Sequence, residues 1–191
     1  MKLLGFMAFA GLLAVGAGAG EINFDGTGAP CNFSQTSSLT NYYYSSLGVY
    51  FEGPGAGLGG AILNQCGNFG VNAHSGEEFL AFNRNLYATD PETIGFSQIY
   101  TDISIWGASG NGTATFRIDG YNGASIVDTM TATSTGGWIQ LAISDPSGFD
   151  SVKLTQIGSD NAWVYDDLVF TPEPASLSLL VLSGLWLLRR R

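Results

Sequence analysis

The chain has 191 residues, a formal charge of −9, 12% charged residues and 27 glycines. That leaves room for one domain with its own core and hardly for two, and the scarcity of Glu and Lys beside many Ser, Thr, Asn, aromatic and β-branched residues excludes a helical bundle. Between Gly20 and Thr171 only Arg84, Arg117 and Lys153 stand against fifteen acids, a balance of −12; such a field repels a phosphate backbone, so nucleic acid is no partner, while divalent cations and neutral polymers stay open.

Read from the start, MKLLGFMAFAGLLAVGAGAG places one lysine before an apolar run and small residues after it, with Ala17-Gly18-Ala19 fitting a small-x-small cleavage signal. Residues 1–19 are therefore read as a signal peptide, cut by signal peptidase during export. From residue 20 to 171 short β-type runs alternate with turn clusters, the pattern of a sandwich or barrel. Strands are predicted at 22–25, 48–52, 61–63, 79–83, 93–97, 102–106, 114–121, 125–132, 138–143, 151–157 and 164–170. In Asp102-Ile103-Ser104-Ile105-Trp106 every second residue is apolar, as in a strand with one buried face. Asn111-Gly112, Asn122-Gly123, Gly136-Gly137, Asp145-Pro146 and Ser147-Gly148 supply turns, and Asn122-Gly123 a tight hairpin. No helix longer than a turn or two is expected outside the termini.

Cys31 and Cys66 are the only cysteines, and an even pair in an exported chain predicts a disulfide; closing about 35 residues would add roughly 3–4 kcal/mol. Gly53 to Gly60 form a glycine-rich loop with neither a lysine nor a following helix, so no phosphate cradle. His74, the sole histidine, has Ser75 and Glu77 beside it, but catalytic triads draw on distant segments, and no nucleophile elbow or zinc-spaced set is present. The domain is read as non-enzymatic. Trp106 and Trp138 are expected in the core, the common fate of aromatics on alternating strands. Tyr42, Tyr43 and Tyr44 cannot all be buried in one extended run, so they are the candidate surface for a sugar or a partner.

The end of the chain, TPEPASLSLLVLSGLWLLRRR, breaks with this pattern. Residues 175–188 would make a helix about 21 Å long at ~1.5 Å per residue, short for a hydrocarbon core of about 30 Å. Arg189, Arg190 and Arg191 would resist translocation, and Pro172 and Pro174 hold an extended strip just outside the bilayer. Pro172-Glu173-Pro174, a short apolar helix and a terminal arginine cluster resemble the PEP-CTERM sorting signal of Gram-negative bacteria. That resemblance covers residues 172–191. It implies a transient anchor in the inner membrane, processing near Pro172, Glu173 and Pro174 by an exosortase, and delivery to the cell surface or matrix, in association with exopolysaccharide and biofilm.

From Thr93 onward the strand pattern also resembles a jelly-roll β-sandwich ectodomain related to carbohydrate-binding modules. The expected fold is thus an all-β, jelly-roll-like antiparallel sandwich between a signal peptide and a transmembrane helix. Such modules often hold a structural Ca²⁺ with an acid of the last strand and groups near the N-terminus. The resemblance points to Asp166 or Asp167 with Asp25, and more weakly to Glu77 or Glu78; carboxylate oxygens suit that ion. An acid bonded to backbone amides or facing solvent is the other reading of the same residues.

Overall fold

The computed structural model describes residues 18–33, 39–53, 59–83, 91–158 and 162–172. The predicted signal peptide up to residue 17, the middle of the glycine-rich loop at 54–58, and the tail from Glu173, with Pro174 and the three terminal arginines, lie outside them. Among the described residues no helix is long and apolar enough to cross a membrane.

Among the described residues there are nine antiparallel strands: β1 (Gly20–Ile22), β2 (Val49–Phe51), β3 (Ala61–Asn64), β4 (Glu78–Asn83), β5 (Glu92–Ala108), β6 (Thr113–Asn122), β7 (Ser125–Thr135), β8 (Ile139–Ile157) and β9 (Ala162–Thr171). The main path runs β3-β4-β9-β5-β8-β6-β7, with β1 paired to β9 and β2 to β5. Two of these strands each join two predicted ones. β5 pairs through its first half with β2 and through its second half with β9, and it slips register around Tyr100. Likewise β8 meets β6 with its second half only. The predicted turns at Asp145-Pro146 and Ser147-Gly148 are bends inside β8, where Asn122 Nδ2 donates to the Ser147 and Gly148 carbonyls. Long strands that bend and change neighbours fold one sheet over itself into two layers. One layer holds β2, the first half of β5, the second half of β8, β6 and β7. The other holds β3, β4, β9, the second half of β5 and the first half of β8.

Alternation then decides what lies between the layers. Ile103, Ile105, Leu141, Ile143, Phe116, Ile118, Val152 and Leu154 point inward with Phe82, Trp163, Tyr165 and Phe170 in one buried cluster. The β6–β7 turn is the predicted hairpin: Asn122 pairs with Ser125, and Gly123 takes the positive φ of 59° that a two-residue hairpin loop requires. Strands β4 and β9 do not alternate, because both their faces are covered. Their outer face carries a second cluster of Phe33, Leu63, Phe79, Ala81, Ala108 and Val164. The segments around Cys31 and Cys66 lie over this face, joined by the expected disulfide with Cα atoms 5.3 Å apart.

Glu92 breaks the apolar rule. It begins β5 on the inward parity, is 1% exposed, and neither carboxyl oxygen has a hydrogen-bond partner. Burial, with a smaller push from Glu52, raises its pKa from 4.5 to about 9. A carboxyl whose folded pKa lies above its unfolded one binds its proton more tightly in the native state, so stability is full below about pH 4.5 and is lost as pH rises toward 9. The thermal midpoint should therefore fall steadily between pH 5 and pH 9. Glu92→Gln should flatten that slope and lie several degrees above wild type at pH 8, whereas parallel slopes for the two proteins would show that Glu92 is not the source.

Candidate functional site

The outer face of the second layer is built by simple parity. With Ile103 and Ile105 turned inward on β5, Asp102, Ser104 and Trp106 must turn outward. On β8, inward Ile139, Leu141 and Ile143 leave Gln140, Ala142 and Ser144 outward, and Trp138, just before the strand, continues that side. Trp106 pairs with Gln140 and Gly107 with Ile139, which sets the two tryptophans diagonally on one face. Neither is fully buried, contrary to expectation: both are half-buried, with Trp138 packed against the outer apolar cluster, and among the described residues Trp163 is the fully buried tryptophan. Trp106 could have been read correctly, since it shares its phase with Asp102 and Ser104.

His74 completes the aromatic group. Its ring stacks on Trp106 at 4.1 Å and 20° and meets Trp138 edge-on at 5.5 Å. The Trp138 indole N–H donates to the Asn72 carbonyl at 3.1 Å. Beyond these rings runs an open groove of about 290 Å³, lined by Asp102, Ser104, Gln140, Ala142, Ser144 and Thr171 among others. Asp102 Oδ1 accepts from Ser144 Oγ at 2.8 Å. The far edge of β8 is closed by side chains: the Ala142 and Ser144 amides donate to Met130 Sδ and Asp128 Oδ2 of β7.

Two acids of β9 hold His74 in place. Opposite Ser104 and Trp106, β9 carries Val169 and Asp166, one residue more than its partner, and Asp167 takes a φ of +48°. Neighbouring side chains on a regular strand point to opposite faces, but this β-bulge breaks the alternation and lets both carboxylates reach one loop. Asp166 Oδ2 accepts from the amides of His74 (2.9 Å) and Ser75 (3.2 Å), and Oδ1 from the amide of Asp167 (2.9 Å). Asp167 Oδ2 lies 2.5 Å from His74 Nδ1, while Oδ1 accepts from Ser75 Oγ at 2.6 Å. Asp166 is completely buried, and burial pushes its carboxyl up to about 7 against the opposing Ser75 amide. Ser75 donates to Asp167 and not to His74, which is not the order of a nucleophilic triad.

The other end of the same loop is tied to the N-terminal segment. Asp25 Oδ1 accepts from the amides of Glu77 and Glu78 at 2.9 and 3.1 Å. In return the Glu78 carboxylate accepts from the amides of Thr27 and Ala29 and from the Thr27 hydroxyl. Burial raises the Glu78 pKa, but these bonds hold it below the ordinary range. Asp25 and the Asp166–Asp167 pair thus grip opposite ends of one loop. Their bound oxygens face N–H and O–H donors, and among the described residues no three acidic, His or Cys side chains gather as a metal site. The three acids are not gathered round one point as a calcium site would need: Asp25 and Asp166 cap backbone amides, and Asp167 takes the His74 ring and the Ser75 hydroxyl.

The tyrosine run takes a different shape from the extended one expected. Residues 40–43 turn into α1 (Tyr44–Leu47). Tyr43 packs on Phe24 and Phe51 at 6.2 and 6.0 Å, while Tyr42 and Tyr44 are 55% and 51% exposed.

No protein-family model matches the chain, and no curated protein matches it. Several solved structures resemble it at low identity. TmCBM61, solved with β-1,4-galactotriose, shares 15% identity over 72% of this chain and 99% of its own, with a TM-score of 0.44. The K1 cleaved adhesin domain of Lys-gingipain from Porphyromonas gingivalis shares 9% over 82% and 91%, with a TM-score of 0.43. The C-terminal family 22 carbohydrate-binding module of Clostridium thermocellum Xyn10B shares 14% over 65% and 85%, with a TM-score of 0.39.

Proposed function

We propose that the chain is an exported, non-enzymatic surface or matrix protein whose jelly-roll-like domain binds an uncharged exopolysaccharide in the groove beside Trp106. The observation that carries this reading is the outward aromatic group itself. Trp106, His74 and Trp138 stand on a sheet face where alternation calls for polar residues, next to Ser104, Gln140, Asp102 and Ser144. Aromatic faces supply flat apolar area, and the neighbouring hydroxyl, amide and carboxylate groups supply hydrogen bonds, the combination a polyol needs. The −12 balance of the segment 20–171 disfavours a polyanion.

Sorting belongs to the ends of the chain. Signal peptidase removes residues 1–19 on export across the inner membrane of a Gram-negative bacterium. The tail at 172–191 then anchors the protein until an exosortase cuts near Pro172, Glu173 and Pro174, leaving the domain at the cell surface or outside the cell. This part rests on the PEP-CTERM pattern in the sequence.

Changing both Trp106 and Trp138 to Ala should lower affinity for a recognised neutral polysaccharide at least tenfold in affinity electrophoresis, in a variant that still unfolds cooperatively at a lower thermal midpoint because both rings are half-buried. Unchanged mobility against every neutral glycan that wild type binds would rule out the groove. For the tail, intact mass of exported material should show a C-terminus close to residue 174 in cells with the exosortase and a full-length tail in cells without it; Arg189–Arg191 retained in both would contradict the sorting reading.

A further inference from the structure

The opposite face of the sandwich carries a second aromatic row. Tyr50 of β2 pairs with Gly95 of β5, Gly95 with Ser151 of β8, and Ser151 with Tyr121 of β6. Val49, Phe51, Ile94, Phe96, Val152, Phe116 and Ile118 fill the core from these strands, so all four residues of the row point outward. Four neighbouring strands span about 14 Å at ~4.8 Å each. Gly95 sets the geometry. A Cβ there would lie 2.0 Å from Tyr50 Cζ and 2.3 Å from its hydroxyl oxygen, so the Tyr50 ring lies down across β5 where any side chain would lift it. Tyr44, half-exposed, extends the row with its ring 6.2 Å from that of Tyr50. At the far end the Lys153 ammonium sits 4.7 Å from the centre of the Tyr121 ring.

The charges on this face select the occupant. Arg117 and Lys153 are the only Lys or Arg among the described residues, and both are here. Arg117 is held by Asp119 at 2.7 Å, and Lys153 lies over an aromatic ring. Glu52 and Asp150 also stand beside Tyr50, so the two cations are offset by three acids, and the face carries no surplus positive charge: a poor match for polyanions and a good one for an uncharged polyol. Thr115 and Thr133, hydroxyl to hydroxyl at 2.9 Å, continue the hydroxyl character across β6 and β7.

We infer that the Tyr50–Tyr121 face is a second site for an uncharged polysaccharide, so that one domain holds two chains on its two outer faces and cross-links them. The inference rests on the reading of the domain as a glycan binder. Two sites on one rigid body raise retention in a matrix by effective concentration, without any new contact.

The test uses the exported protein with a soluble mixed-linkage glucan, a galactan and a xylan, together with their short oligosaccharides. For a member that binds, titration calorimetry should give two oligosaccharide sites per chain, and light scattering should show polysaccharide particles growing on addition of protein. Tyr50→Ala with Tyr121→Ala should leave one site and abolish growth. Trp106→Ala with Trp138→Ala should also leave one site and abolish growth, by removing the other. A stoichiometry of one that the tyrosine changes do not alter overturns the second site while the groove stands. Binding to none of the glycans overturns both. Cooperative thermal unfolding well above the assay temperature confirms that the variants are folded.

Discussion

One bulge in the last strand organises the functional face. By inserting a residue at Asp166–Asp167, β9 turns two adjacent carboxylates toward the loop at 72–78, and they take up the amides of His74 and Ser75, the His74 ring nitrogen and the Ser75 hydroxyl. A regular strand would have sent one of those acids into the core, at a cost of several kcal/mol for an unpaired charge. Along the same edge of β9, β1 pairs with residues 168–170 and β4 with residues 162–165, so the bulge falls in the gap between them. The loop fills that gap with backbone donors, and His74 is laid against Trp106 as a result.

Around this anchor the two layers treat their outward residues in related ways. In each, core aliphatics hold the sheet and leave aromatic and hydroxyl side chains on the outside. On the β5–β8–β9 face the aromatics cluster at one end of a groove, because the loop brings a third ring to the two tryptophans. On the β2–β5–β8–β6 face the absence of a side chain at Gly95 lets one tyrosine lie flat. Both faces lack the surplus positive charge that acidic polymers would need, and the bulk of the domain repels such polymers over the Debye length of about 8 Å at physiological salt. The disulfide fixes Cys31 to Cys66 over the outer apolar cluster, so the loops beside the groove start from a rigid base.

Much of this architecture was legible in the sequence. Alternation in residues 102–106 and 138–143 gives the strand parity, and with it the outward side of Trp106 and Trp138; expecting those rings in the core set residue type above phase. Asn122-Gly123 and the cysteine pair act locally or in isolation, so they too could be read. The union of the predicted strands around Asp145-Pro146 and Ser147-Gly148 could not, because turn-type residues also serve as bends within a long strand that changes partners. The β9 bulge leaves no trace in a period-two pattern. Its acids suggested a cation because the donors they meet come from a loop some 90 residues earlier. Tyr42 and Tyr43 lie in a turn that leads into the short helix begun by Tyr44, and not in a strand, and Tyr43 alone of the three packs against Phe24 and Phe51.

The central claim is that the bulge acids hold the loop that lays His74 against Trp106. Hydrogen exchange on Asp166→Ala tests it most directly, because that change strips two loop amides of their acceptor and each orphaned donor costs about 1–3 kcal/mol. The account predicts that the amides of His74 and Ser75 exchange at least about tenfold faster than in wild type, while those of the β6–β7 hairpin stay slow. Unaltered protection at His74 and Ser75 in a folded variant would contradict it.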